Sequence, residues 1–244
     1  MLNTAVLVQE YLEGIEYVID TVSVNGHHKL SGSWSYMKGS VNDASFVYFG
    51  MRIVDSSSPV VRQVFEYTKT VLDALNIKNW CGHAEIMYNP KSGPCLVEVG
   101  SRPHGGEGLF INCARAVCGY SQIDLLADAM KGGDDFAKYS DLWEIKNGSC
   151  AMIDLVCFKR GVVKCINKDA LARITQLTSF VATHCLPAPG VRVTQTVDCF
   201  TAIGSIELIS QSTEQLQADM DEIRRVEPEL IEVEDENECG EIKS

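Results

Sequence analysis

Apolar and polar positions alternate through most of the first 53 residues, the period of strands that turn one face inward. A short apolar stretch over 6–8 is followed by β-branched alternation over 16–24, 29–36 and 46–53, and these predict four strands. Asn25-Gly26 fits a two-residue hairpin turn with φ > 0 at both positions. The period then changes: Val61, Val64, Phe65, Thr68, Val71, Leu72 and Leu75 recur at helical spacing before Asn76, with Ser58 placed to cap and Pro59 at the first position. Strands over 81–88 and 95–99 flank Asn89-Pro90-Lys91-Ser92-Gly93, a run of turn formers, and make a second hairpin.

Gly105-Gly106-Glu107-Gly108 leads into a helical segment stopped by Gly119, and a second helix over 121–130 is stopped by Gly132-Gly133. Positions 133–148 are polar and irregular and read as a linker. Beyond it, strands over 149–158, 162–166 and 201–209 mix with a helix over 169–177, and Ser212 stands three residues before Gln215 at the start of a last helix. The fold class is therefore α+β. An antiparallel sheet with helices occupies 1–132, and a small α/β domain occupies 149–226; no internal repeat is visible.

Composition narrows the function. With 244 residues, 45% hydrophobic and 22% charged, the chain is expected to be globular and able to bury a core. No apolar run approaches the ~18 residues of a membrane span, and the N-terminus lacks the basic and apolar regions of a signal peptide, so a soluble cytoplasmic protein is expected. Lys and Arg number 21 against 33 Asp and Glu, a net charge of −12 that argues against nucleic acid or anionic membrane as partners. The stretch 227–244 carries −7 of that charge and is expected to be a disordered acidic tail. Ten cysteines include no Cys-x-x-Cys and mostly sit in apolar strings, so they read as reduced core residues rather than a zinc site or a reactive thiol.

One constellation carries chemistry. On alternating strand positions Glu98, Gly100 and Arg102 share a face, and Glu85 on the partner strand can meet Glu98 if the register allows. Two adjacent carboxylates repel unless a cation lies between them, and their oxygens suit Mg2+ or Mn2+; on an exposed face the same pair would simply be solvated. Directly after Arg102, the loop at Gly105 and Gly106 leads into a helix, an arrangement that favours an anion.

Glu85, followed by Glu98-Val99-Gly100-Ser101-Arg102, resembles the metal-binding signature of the ATP-grasp superfamily. Val8-Gln9-Glu10-Tyr11-Leu12-Glu13-Gly14-Ile15-Glu16-Tyr17 resembles the hinge that lines the adenine and ribose pocket in those enzymes. Trp34-Ser35-Tyr36-Met37-Lys38 and Glu98 through Gly106 resemble the carboxylate–amine ligase branch that includes L-amino acid ligases and carnosine synthase. The resemblance covers most of 5–130, and 149–226 is similar to the small C-terminal domain of that branch. It implies the C-terminal half of an ATP-grasp domain.

By that resemblance, Glu10 and Leu12 offer backbone groups to adenine beside Tyr11, and Glu16 binds ribose hydroxyls. Glu85 and Glu98 ligate Mg2+ on the ATP phosphates, and Arg102 stabilises the transferring phosphoryl group. His104, Gly105, Gly106 and Lys38 are further candidates for phosphate or substrate contacts. Gly100 departs from the pattern, since many members place an Asn ligand there. His27 and His28 are expected to be exposed, and His83 and His184 to serve the fold. The resemblance implies an ATP-dependent ligase joining a small acid and an amine through an acyl-phosphate. It also implies a missing N-terminal half with the lysines that cover the phosphates: a truncated product, a split subunit or a remnant. The rival reading is a non-catalytic module that binds Mg2+-nucleotide or serves as a partner subunit.

Overall fold

The computed structural model describes residues 5–6, 8–132 and 134–234. Three long strands come first: β1 (Ile15–Val24), β2 (His27–Val41) and β3 (Ala44–Ile53). The helix α1 (Pro59–Ala74) and the hairpin of β4 (Cys81–Asn89) and β5 (Gly93–Gly100) follow. A 3-10 turn at Gly106–Gly108 leads to α2 (Phe110–Cys118), α3 (Gln122–Met130) and the one-turn α4 (Asp134–Ala137). The remainder comprises β6 (Ser149–Asp154), β7 (Gly161–Ile166), α5 (Lys168–Thr175), β8 (Phe180–His184), β9 (Arg192–Val193), β10 (Ser205–Ser210), α6 (Thr213–Val226) and β11 (Ile231–Glu234).

Eight strands form one antiparallel sheet in the order β5-β4-β1-β2-β3-β6-β10-β8, and β11-β7-β9 form a small second sheet. The hairpin turn falls on Asn25 and Gly26, with φ of 52° and 79°, and sets Val24 opposite His27. In an antiparallel ladder directly opposed side chains share a face. The register therefore puts Glu16, Val18 and Asp20 of β1 on one face with His83 and Glu85 of β4, Trp34 of β2 and Glu98 of β5. Tyr17, Ile19 and Ala84 face the other way, on the side covered by α1, whose Val61, Val64, Phe65 and Leu72 are buried. On the first face, Phe110 of α2 and Trp143 close over Trp34, at ring separations of 6.5 and 5.6 Å. This leaves the Glu16–Glu85–Glu98 end of that face open.

Several expectations need correction. The strand expected over 6–8 is not seen at Val6 and Val8, which lie exposed with no partner strand among the described residues. The supposed linker 133–148 contains α4 and the fully buried Trp143, so its polar pattern hides an anchor. Residues 149–226 have their own apolar cluster under α5 and α6, but their sheet is shared: β6 pairs with β3, and β10 and β8 extend the same sheet. The tail expectation fails for 227–234, where Glu227, Leu230 and Ile231 are buried and β11 pairs with β7; 235–244 lie outside the described residues. Of the cysteines, Cys81, Cys113, Cys118, Cys150 and Cys157 are buried, whereas Cys95, Cys185 and Cys199 are exposed.

Candidate functional site

The hairpin puts Glu85 and Glu98 directly opposite each other. Glu85 is the better shielded. Its Oε1 accepts a hydrogen bond from Tyr36 Oη at 2.9 Å and stands 3.5 Å from His83 Nε2. Burial alone would raise the Glu85 carboxyl, but the bonds from His83 and Tyr36 hold it below its usual range. Glu98 is exposed and makes no hydrogen bond or ion pair with a described residue. Glu16, diagonal to Glu85, is buried and bound by Lys38 Nζ at 2.6 Å, while its Oε1 has no hydrogen-bond partner among the described residues. Burial raises the Glu16 carboxyl, and Glu85 adds to that, against the opposing effect of Lys38.

Lys38 is a strand residue rather than a loop lysine. It lies opposite Tyr48 of β3, with Nζ 4.1 Å from the centre of that ring. Tyr36 and Tyr48 meet edge to face at 5.0 Å. Two clefts adjoin here and share Tyr36. One, of about 500 Å3, is lined by Tyr11, Leu12, Glu16 and Lys38, with Phe46 and Met87 among its apolar walls. The other, of about 350 Å3, is lined by Glu85, Arg102, His104, Gly105 and Gly106 together with His83. Glu10 is exposed and lies outside the lining of both clefts.

Behind Glu85 lies a charged core that sequence reasoning missed. Asp20 is wholly buried; each of its oxygens meets a histidine Nδ1 at 2.8 Å, His83 on Oδ1 and His104 on Oδ2, and Trp34 Nε1 donates to Oδ2 at 3.1 Å. Burial of Asp20 would raise its carboxyl, but the two histidines outweigh it and hold it far below the usual range. For His83, burial works downward, yet hydrogen bonds to Asp20 and Glu85 push it up to about 9. His83 therefore carries its proton at neutral pH and presents a positive Nε2–H to Glu85. Gly32, opposite Asp20, leaves the room this needs, since a Cβ there would come within 2.8 Å of Asp20 Oδ2. The legible signal was Asp20 itself, an acid inside the apolar run Tyr17-Val18-Ile19-Asp20-Thr21-Val22.

Asp20, His83 and His104 also bring one ligand atom each within 4.8 Å of one another. Mutual hydrogen bonds already occupy those atoms, so the cluster is complete without an ion. His104 is stacked on Phe110 at 4.5 Å and its backbone N–H donates to Gln122, so it is a fixed wall of the smaller cleft. His28 is buried, not exposed, and is held by Ser23 Oγ at 2.6 Å and Asp73 at 3.2 Å. His184 lies 3.4 Å from the buried Glu207.

Arg102 lies just past the end of β5, exposed at the mouth of the smaller cleft. Gly100 has a steric reason: a Cβ there would stand 3.1 Å from Arg102 Cγ and Nε, so the bare backbone lets the guanidinium fold back over the strand. The donor set fits Mg2+. Hard carboxylate oxygens of Glu85 and Glu98 oppose each other, with an unpartnered Glu16 oxygen nearby and no side chain at 100 to hold a second ion.

No family model matches the chain. A curated relative, dapdiamide A synthase from Enterobacter agglomerans, is 27% identical over 230 residues, which cover 93% of this chain and 53% of that protein. An L-amino acid ligase from Bacillus licheniformis superposes with a TM-score of 0.73 at 16% identity, covering 92% of this chain and 52% of its own. The biotin carboxylase domain of a Hydrogenobacter thermophilus 2-oxoglutarate carboxylase, solved with MgADP, ADP and bicarbonate, gives 0.56 at 12% identity over 92% of this chain and 47% of that one. The chain thus spans about half the length of the proteins it matches.

Proposed function

We propose that this chain, which carries the fold of the ATP-grasp ligases, holds the nucleotide and metal side of an ATP-dependent carboxylate–amine ligase acting on small amino-acid-type substrates. The observation that supports this most is the joining of two clefts on one sheet face. One offers aromatic and apolar walls with Glu16 and Lys38, and the other offers Glu85, Arg102 and a glycine loop. A purine with its ribose suits the first, and a triphosphate reaching past Tyr36 suits the second.

In this reading Leu12 and its neighbours meet the adenine edge through backbone groups. Glu16, released from Lys38, takes the ribose hydroxyls, and Lys38 turns to a phosphate. Glu85 and Glu98 hold Mg2+, which when bound neutralises phosphate charge. His83 keeps Glu85 ionised and aimed, because its imidazolium directs Nδ1–H to Asp20 and Nε2–H toward Glu85. Arg102 lies where charge builds on the transferring phosphoryl group, the position at which a preorganised cation lowers the barrier most. The carboxylate attacks the γ-phosphorus, ADP leaves, and an amine displaces phosphate from the acyl-phosphate to give an amide.

The test is ADP release by this chain joined to, or mixed with, the half of its relatives' length that it does not span. Release that requires both a carboxylic acid and an amine, and that Arg102→Ala removes, supports the ligase; release indifferent to either substrate contradicts it. The rival reading, a non-catalytic nucleotide-binding half, would show Mg2+-nucleotide binding with no such release.

A further inference from the structure

The turn between β2 and β3 is tied to a distant part of the chain by one side chain. Val41 stands opposite Ala44, and the two residues between them, Asn42 and Asp43, have φ of 52° and 61°, a tight hairpin turn. Asn42 Nδ2 directs both of its hydrogens outside the hairpin, to the carbonyl oxygens of Cys157 and Thr196, each at 2.9 Å. The flanks of the same hairpin carry Gly39, Ser40, Ser45 and Phe46, which line the larger cleft. Phe46 is held at φ of 68°, a conformation that a bulky residue adopts only under constraint, with its exposed ring 5.6 Å from that of Tyr11. The other end of the tie is braced. Cys157 N–H donates to Thr196 Oγ1 at 2.8 Å, and Thr196 N–H returns a bond to the Cys157 carbonyl at 2.9 Å. Thr196 Oγ1 donates to the Thr201 carbonyl at 2.9 Å, while Asp198 Oδ1 accepts from the N–H groups of Phe200 and Thr201, each at 3.0 Å. This loop, 196–201, presents Cys199 to the smaller cleft. One amide therefore joins a wall of the larger cleft to a wall of the smaller one, by a route that does not pass through Tyr36.

We propose that Asn42 couples the two clefts: it is a positioning residue through which the 39–46 hairpin and the 196–201 loop move as one body. A ligand that draws the hairpin inward must carry the loop with it, because separating them leaves two carbonyls and both amide hydrogens without their partners. Occupancy of the larger cleft then alters the smaller one, and by linkage the reverse holds to the same degree. The inference rests on the nucleotide reading for what enters the larger cleft, and it adds how that event reaches the second cleft.

The experiment is an NMR titration of the 244-residue chain with adenosine, which has no phosphates to reach the smaller cleft directly. The expected result is that amide signals of 39–46 and of 196–201 shift along one binding curve. Asn42→Asp keeps the size and the turn geometry but replaces both donors with an acceptor, and Asn42→Gly equally suits φ > 0. Both should keep the 39–46 shifts and reduce those of 196–201 by at least about threefold. Thermal melting reports whether each variant is folded. Shifts at 196–201 of wild-type size in both variants, or wild-type shifts confined to 39–46, overturn the coupling and leave the nucleotide reading in place. A second arm needs no ligand. Asp198→Ala, which unties the loop, should speed amide hydrogen exchange in 39–46 by at least about threefold, and should add nothing in an Asn42→Gly background. An effect absent from the wild-type background, or equal in both, overturns the coupling even where adenosine does not bind. No shift anywhere with adenosine, together with the expected exchange pattern, removes the nucleotide reading and supports the coupling.

Discussion

Asp20 and His83 form the ion pair on which the site's geometry leans. The folded His83 titrates near 9 against an ordinary 6.5, so its stabilising contribution is complete below about 6.5 and is lost as pH rises through about 9. The shift corresponds to about 3 kcal/mol. Thermal melting should therefore fall between pH 7 and 10 in the wild type, and the slope should flatten in His83→Asn; equal slopes would deny the pair its role. Asp20→Asn leaves two buried histidines facing an amide and should cost about 3–5 kcal/mol in urea unfolding. Gly100→Ala should behave differently. The atoms it meets belong to the exposed, flexible Arg102, so stability should change by less than about 1 kcal/mol while the guanidinium loses its resting place. Sequence pattern made Glu85, Glu98 and Arg102 legible, because alternation fixes their faces. It left the ties of Glu16 to Lys38 and of His83 and His104 to Asp20 unread, because each joins residues separated by at least 22 positions and depends on which strands become neighbours.

Within the large sheet, elements meet most narrowly where β3 joins β6, through three opposed pairs. Gly50 is at that seam with φ of 129°, and a Cβ there would come 2.0 Å from the Met152 carbonyl oxygen. Gly50→Ala must therefore displace backbone rather than a side chain, and should destabilise by more than about 2 kcal/mol, far beyond an ordinary surface change. By contrast Leu72, fully buried on α1, should cost about 2–5 kcal/mol as Leu72→Ala by leaving a cavity. Most elements here were readable from period and punctuation: the Asn25-Gly26 turn, the Pro59 start, the Gly119 stop and the Ser212 cap all stand where the residues point. β8, β9 and β11 escaped because two to five residues carry too little periodicity, and the pairing partners that create them are distant in sequence.

Across the whole molecule, the shared sheet ties the two apolar cores together. Cys150 and Met152 of β6 belong to the first cluster, while Ala151 and Ile153 of the same strand belong to the second. Urea unfolding should accordingly be a single transition, with tryptophan fluorescence and far-UV circular dichroism coincident; two separated transitions would mean that 149–226 folds alone. The central claim is that Glu85 and Glu98 hold a metal-bound nucleotide beside Tyr36. Titration calorimetry of the 244-residue chain with Mg2+-ATP, against Glu98→Gln and against ATP without metal, tests it most directly. The account predicts metal-dependent binding on the order of hundreds of micromolar, weakened more than tenfold in Glu98→Gln because one remaining carboxylate cannot neutralise the ion. Affinity that is the same in the variant, or the same without Mg2+, would contradict it.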